Sequence, residues 1–448
     1  MWPVRKRSLA SERTHTRCTR QTSVVPKAGY TSHLDVKCMP NTRTEIIEKV
    51  VTWASNSSDD APYIFWLNAM AGEGKTSIAT TVAHMLHENG ILGGSFFFSQ
   101  DQGRIHIVNV FSTLIAYLAN YRLEFQQFVA EYLKSRILDI KDSATVQFDL
   151  FETLFVKSDI ITSNKPVIFV LDGLDECQEY PDQQTLLQYL VKISNQSPKC
   201  RFFLTSRPEA KIQSILNQAE PLQPVKLSDF ARNAGNTTER DLEIYIDTKL
   251  KEIATQYKDL LPPLSDWPGP ERKQKLLDQA CGLFIWASTA IKFINVGDPE
   301  IKLDILLSSP LSSNSLIDIY KKVMNNAYPD EKTLTPEIIN ILGAILLLQE
   351  PLSAASTGML LHIQARNNQS MTQTVSLALG RLRSVLEIPS TEGHTIHICH
   401  LTFAEFLTNQ EQCPQYCYID KEVHHFNLAE NCLKVMEELL HYNICELR

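Results

Sequence analysis

Tyr63-Ile64-Phe65-Trp66-Leu67-Asn68-Ala69-Met70-Ala71-Gly72-Glu73-Gly74-Lys75-Thr76 is the stretch that decides how this chain folds. Its first five residues are aromatic or aliphatic without a polar break, the pattern of a strand buried on both faces. Two glycines then interrupt the run, and Lys75-Thr76 opens the helical pattern Thr76–His87. A strand, a glycine-bearing turn and a helix start gather unpaired backbone N–H groups at one point, backed by the positive end of the helix dipole. Such a point holds phosphate. Gly72, Glu73, Gly74, Lys75, Thr76 and Ser77 form the cradle, the Lys75 ammonium reaches the β- and γ-phosphates, and the Thr76 hydroxyl ligates Mg²⁺. Ala69 stands where the usual pattern has its first glycine, so the loop must enter its turn without free φ there. A looser grip on phosphate is the expected consequence.

Downstream, Val167-Ile168-Phe169-Val170-Leu171 runs into Asp172-Gly173-Leu174-Asp175-Glu176. An acid delivered at the carboxyl end of an apolar strand is the second half of a phosphate-transfer site, with Asp172 in the Mg²⁺ shell. Asp175 and Glu176 are the candidates to orient or deprotonate an attacking water. The blander reading is an Asp-rich surface turn. A third run, Phe202–Thr205, leads into Ser206-Arg207-Pro208, where Arg207 is placed to reach a γ-phosphate or else is solvated. Asn164-Lys165 is followed by Pro166-Val167, so no guanine-reading Asn-Lys-x-Asp is present, and adenine nucleotides, ATP or ADP, are favoured.

Gly94–Phe98 and Pro224–Leu227 add two more short runs, and helical patterns over Thr44–Ala54, Thr76–His87, Phe111–Leu133 and Gln184–Ile193 alternate with them. This alternation predicts an α/β P-loop NTPase fold, a parallel sheet with helices on both faces. Past residue 238 the strands stop. Glu239–Thr255 and Lys273–Phe293 read as helices separated by the proline-rich Leu261–Pro270, and helical patterns run on from Leu316 to Leu382. Val385–Glu387 and Thr395–His400, around a turn at Pro389–Gly393, read as a hairpin among helices, which suits a winged helix. The expected division is a basic tail over 1–37, the phosphate-binding domain over 38–232, a helical domain over 238–312, and a winged helix with a following helical segment over 313–445. Strand period places Ile396, Ile398 and His400 on one face. His397, His400, Cys413 and Cys417 have spacings that permit a zinc site, although a strand and a helix intervene. A satisfied, half-buried histidine is the plainer reading of His400.

Composition bounds these readings. Of 448 residues 44% are hydrophobic and 21% charged, enough for several cores and against wholesale disorder. The net charge of −8 argues against a general nucleic-acid binder. Arg5, Lys6, Arg7, Arg13, Arg17, Arg20 and Lys27 face only Glu12 in the first thirty residues, which reads as a disordered tail or, less favourably, a mitochondrial presequence. No apolar run reaches the length of a membrane span, no secretory core is present, and the ten cysteines read as reduced thiols of a cytoplasmic protein.

The order of phosphate loop, Asp-Gly-Leu-Asp-Glu, Thr-Ser-Arg-Pro, helical domain and winged helix resembles the NACHT class of STAND signal-transducing NTPases. Closest in pattern are fungal NOD-like receptors with a nephrocystin-like NTPase module. Cys38-Met39-Pro40-Asn41-Thr42-Arg43 is similar to a segment that lies near the adenine in that class, which implies Thr42 and Arg43 as nucleotide-binding residues. Cys281-Gly282-Leu283-Phe284-Ile285-Trp286-Ala287 is similar to its helical domain, with Phe284 where other relatives carry an adenine-packing proline. His400-Leu401-Thr402-Phe403-Ala404-Glu405-Phe406-Leu407 resembles the segment whose histidine bonds the β-phosphate in the closed state. The resemblance implies an ATP/ADP switch in signalling or fungal innate immunity, with slow or no hydrolysis and self-association on activation. A conventional P-loop ATPase or kinase, and a nucleotide-binding scaffold without turnover, are the alternatives.

Overall fold

The computed structural model describes residues 25, 28–58, 61–99, 107–121, 125–129, 131, 144–157, 166–177, 180–197, 199–218, 222–227, 229, 237–261, 267–308, 315–329, 334–365, 369–389 and 393–440. Most of the basic tail, the Asn164-Lys165 pair, residues 262–266 of the proline-rich segment and residues 390–392 of the hairpin turn lie outside these. The chain divides into two compact units, one of residues 1–100 with 104–241, the other of 101–103 with 242–448.

The first unit is built on five strands, β1 Ile64–Asn68, β2 Leu92–Phe97, β3 Val167–Asp172, β4 Cys200–Ser206 and β5 Leu222–Lys226. All pairings are parallel, and the spatial order is β2-β3-β4-β1-β5. Pro224 is tolerated because β5 is an edge strand. Alternate residues face opposite layers. Ile64, Trp66, Phe96, Val167, Phe169, Leu171, Phe202 and Leu204 pack on one face, under α3 Val110–Tyr121, α4 Ala144–Glu152, α5 Tyr180–Gln196 and α6 Ala210–Leu216. Phe65, Leu67, Phe97, Ile168, Val170 and Phe203 pack on the other, under α1 Thr44–Ser55 and α2 Lys75–Glu88. Burial on both faces is why these strands read as unbroken apolar runs rather than as alternation.

β2 begins earlier than the predicted Gly94, at Leu92, and its register with β3 shifts between Leu92 and Gly94. A Cβ on Gly93 would lie 2.5 Å from Val167 Cγ1 and 2.7 Å from Phe169 Cζ, so the irregularity needs glycine. The long helix predicted over Phe111–Leu133 is α3 up to Tyr121, and residues 122–124 lie outside the described set.

The next helix, α7 Thr237–Gln256, gives its first turn to the first unit and Leu242, Ile246, Leu250 and Ile253 to the core of the second. The single helix predicted over Lys273–Phe293 is two, α8 Pro270–Ala280 and α9 Phe284–Ile294. Cys281 (φ 48°) and Gly282 (φ 82°) both turn left-handed and end α8, which the helical period alone cannot reveal. There follow α10 Pro299–Leu307, α11 Ser315–Ala327, α12 Pro336–Leu347, α13 Ala354–Leu360 and α14 Met371–Leu379. The predicted hairpin is a short antiparallel ribbon of β6 Leu386–Glu387 and β7 His397–Ile398, followed by α15 Leu401–Leu407 and α16 Lys421–Leu439. Ile396 and Ile398 are buried as expected, but His400 lies past the strand as the N-cap of α15, so strand period does not govern its side chain. No helix among the described residues is long and apolar enough to cross a membrane.

Candidate functional site

In the first unit β3, β4 and β1 are neighbours, so a parallel sheet brings their carboxyl ends together at one edge. From β1 comes the loop of residues 69–74, from β3 Asp172 and the turn after it, and from β4 Ser206 and Arg207. The loop's left-handed turns fall on Gly72 (φ 80°) and Gly74 (φ 94°), not on Ala69. Ala69 is buried, and its N–H donates to the Ser206 carbonyl at 3.1 Å. The departure from glycine therefore costs the loop no turn, and the expected loosening has no basis in the loop's geometry.

Within the loop the Glu73 carboxylate accepts from Met70 N at 2.7 Å. Lys75 Nζ donates to the Ala69 and Met70 carbonyls at 2.9 and 3.1 Å, which holds the ammonium over the loop. Burial lowers the Lys75 pKa, and Asp175 and Asp172 oppose that shift. Gly74, the N-cap of α2, brings no side-chain acceptor of its own to the N–H groups of the first turn.

Thr76 Oγ1 donates to Asp172 Oδ2 at 2.8 Å, joining the helix start to the end of β3. Thr205 Oγ1 donates to Asp172 Oδ1 at 2.5 Å and accepts from Gly173 N at 3.1 Å. Asp172 is buried. Burial raises its pKa, opposed by the Thr205 and Thr76 hydroxyls and by Lys75. A hydroxyl and a carboxylate, both hard oxygen donors, beside an uncapped helix start fit Mg²⁺ and a phosphate chain.

Asp175 takes Arg207 by two bonds, from the backbone N at 3.0 Å and from Nε at 3.1 Å. Its carboxylate is thus committed to holding Arg207 at the strand tip. Glu176 sits half-buried in the turn Leu174–Glu176, with its N–H on the Gly173 carbonyl at 2.8 Å.

The segment before α1 is stitched to the same site. Cys38 N donates to Thr81 Oγ1, whose hydroxyl donates to the Ser77 carbonyl. The Thr42 hydroxyl is turned inward to the Met39 carbonyl at 2.8 Å. Arg43 donates through Nη2 to the Glu73 carbonyl at 2.9 Å, which sets its guanidinium against the phosphate loop.

In the second unit, His400 Nδ1 accepts from Thr402 N at 3.2 Å and lies 2.8 Å from Thr402 Oγ1, which is 2.7 Å from the Tyr320 hydroxyl. An accepting Nδ1 leaves the proton of the neutral ring on Nε2. Of the groups with zinc-permitting spacing, the Cys413 and Cys417 sulfurs are 3.5 Å apart, while His397 Nε2 bonds Thr395 Oγ1 at 2.6 Å. Among the described residues no group of three or more His, Cys, Asp or Glu is arranged to hold a metal ion. The sequence reading missed Thr205, Thr238 and Asp241. Thr205 was detectable as the hydroxyl next to the strand tip that ends in Ser206-Arg207; the other two are far from the motifs they serve.

Residues 41–207 match the family model of nephrocystin 3, N-terminal. That span begins two residues before Arg43 and ends on Arg207, and so holds the loop, Asp172, Asp175 and Arg207. No curated protein matches the chain. Solved structures similar to it include the Walker-type ATPase paby2304 of Pyrococcus abyssi, 13% identical over 82% of this chain and 97% of that one, with a TM-score of 0.39. The Aeropyrum pernix ORC1 protein in complex with DNA is 14% identical over 90% and 96%, with a TM-score of 0.30. Drosophila ORC bound to DNA is 11% identical over 81% and 94%, with a TM-score of 0.38.

Proposed function

We propose that the chain is a molecular switch of the NACHT and STAND kind, set by exchange of Mg²⁺-bound ADP and ATP at the edge of the parallel sheet. The observation that carries this reading is the 2.8 Å bond between Thr76 and Asp172, which ties phosphate loop and acid strand into one site. Bound Mg²⁺ supplies charge neutralisation between phosphate oxygens, and Thr76 and Asp172 are the residues to hold it. The loop's N–H groups from Gly72 to Ser77 and the Lys75 ammonium bind the phosphates. Arg207, held by Asp175, reads the γ-phosphate. Asp175 on this reading is a positioning residue, and Glu176 is left to orient water for a slow hydrolytic reset.

The second unit is the latch, a helical domain followed by a winged helix that contains the short ribbon and α15. Its His400, with the Nε2 proton fixed by the Thr402 bond, donates to the β-phosphate of ADP in the closed form. Exchange for ATP breaks that bond and exposes a surface for self-association in the cytoplasm. The acid excess of the chain supports no role for nucleic acid.

His400→Leu tests the latch in the full chain. A lost bond to a charged group is worth about 1.5–3 kcal/mol, so ADP dissociation followed by stopped-flow fluorescence should speed up about ten- to hundredfold. An unchanged off-rate in a variant of unchanged melting temperature contradicts the latch.

A further inference from the structure

The Arg43 side chain joins Glu73 and Thr238, two places that the sequence separates by 165 residues. It is 6% exposed and has a left-handed backbone (φ 56°), a conformation rare for any residue with a Cβ. Its backbone N donates to Asp241 Oδ2 at 2.9 Å, and Nη1 donates to Thr238 Oγ1 at 3.1 Å. Nη2 donates to the Glu73 carbonyl at 2.9 Å. Thr238 and Asp241, three residues apart, lie on one face of the first turn of α7 and are themselves buried.

We propose that Arg43 is a strut that passes the state of the phosphate loop to α7, and not a ligand of the nucleotide. The inference rests on the reading that the loop binds nucleotide. The Glu73 carbonyl and the Gly74 N–H belong to one planar trans peptide and point in opposite directions. An N–H of Gly74 aimed at phosphate therefore aims the Glu73 carbonyl away from it, and that carbonyl is the atom Arg43 holds. The Glu73 carboxylate is fixed on Met70 N, so the peptide has little freedom to turn except together with the loop. Any turn of that peptide on phosphate capture strains or relaxes the Nη2 bond, and the same planar guanidinium carries the change to Thr238. Past Asp241 the helix continues with Leu242, Ile246, Leu250 and Ile253, all buried in the core of the second unit. The planar fork explains why the position holds arginine. A lysine ammonium is a single point donor and reproduces neither the spacing nor the shared plane.

The test is amide hydrogen exchange on the full chain, with and without Mg²⁺-ADP, in wild type, Arg43→Gln and Thr238→Val. In wild type, ADP should slow exchange of residues 74–77 and, in parallel, of residues 241–246 by about tenfold, the loss expected for one charge-assisted bond. In Arg43→Gln the loop should stay protected while residues 241–246 lose their response to ADP. Thr238→Val keeps the Glu73 bond and the backbone bond to Asp241 and removes only the guanidinium's link to α7, so it should give the same loss and carries the test if Arg43→Gln does not fold. A response of residues 241–246 that survives in Thr238→Val or Arg43→Gln overturns the strut. So does a wild-type loop that responds without α7, with the nucleotide reading left standing. Loss of loop protection in a folded Arg43→Gln would make Arg43 a ligand and also overturn it. Absence of loop protection in wild type removes both readings.

Discussion

In the first unit the strands buried on both faces end in buried polar residues, Asn68, Asp172 and Ser206, each held by hydrogen bonds near one edge of the sheet. In the second unit the helices bury Trp286, Tyr320, Phe403 and Phe406 in a common core. A parallel sheet locks its strand ends in register, so chemistry placed at those ends is brought together by backbone pairing alone. A helical bundle has no such register. Its side chains meet according to where each turn breaks, as where His400 caps the start of α15.

If packing is the main business of the second unit, removing a central ring should have the largest effect of any single change there. Phe403 is 1% exposed, with ring centroids 5.2 Å from Tyr320 and 6.3 Å from Phe406. Phe403→Ala should cost about 3–5 kcal/mol in urea unfolding. A loss below about 1 kcal/mol would mean that this core is not close-packed and that the contrast between the units is drawn wrongly.

A smaller effect concerns the charge chemistry of the second unit. His424 is buried on α16 against α12, where a Cβ on Gly343 would come within 2.3 Å of its Nδ1. Burial lowers its pKa below the ordinary 6.5, with Asp420 opposing. Between the lowered value and the ordinary one the unfolded chain binds more protons than the folded chain, so stability falls as pH drops through that window and levels off below it. Melting curves at pH 7.5 and 5.5 should show a larger drop for wild type than for His424→Gln. Equal drops would remove His424 from the acid sensitivity of the unit.

The same contrast governs what the sequence discloses. β1, β3 and β4 and the Asp172 and Arg207 tips are legible because doubly buried strands are nearly unbroken apolar runs, and the residue after such a run is at the sheet edge by construction. Thr205 is marked in the sequence only by its place beside the Ser206-Arg207 tip, because its bond to Asp172 crosses to the neighbouring strand. The bonds from Arg43 to Thr238 and Asp241 span a separation that no local pattern can report. In the helical half, periodicity found the helices but joined α8 to α9, because the stop lies in the left-handed Cys281-Gly282 pair rather than in any loss of apolar spacing. His400 was placed by strand period where capping decides, histidine being no favoured N-cap.

The central claim is that the sheet edge of the first unit grips nucleotide phosphate through Lys75. Calorimetric titration of the full chain with Mg²⁺-ADP and Mg²⁺-ATP, beside Lys75→Ala, tests it most directly. Each charge-assisted bond to phosphate contributes about 1.5–3 kcal/mol, so the variant should bind both nucleotides at least about tenfold more weakly, with its melting temperature little changed. Equal affinity of wild type and Lys75→Ala would contradict the assignment of the phosphate site and, with it, the switch.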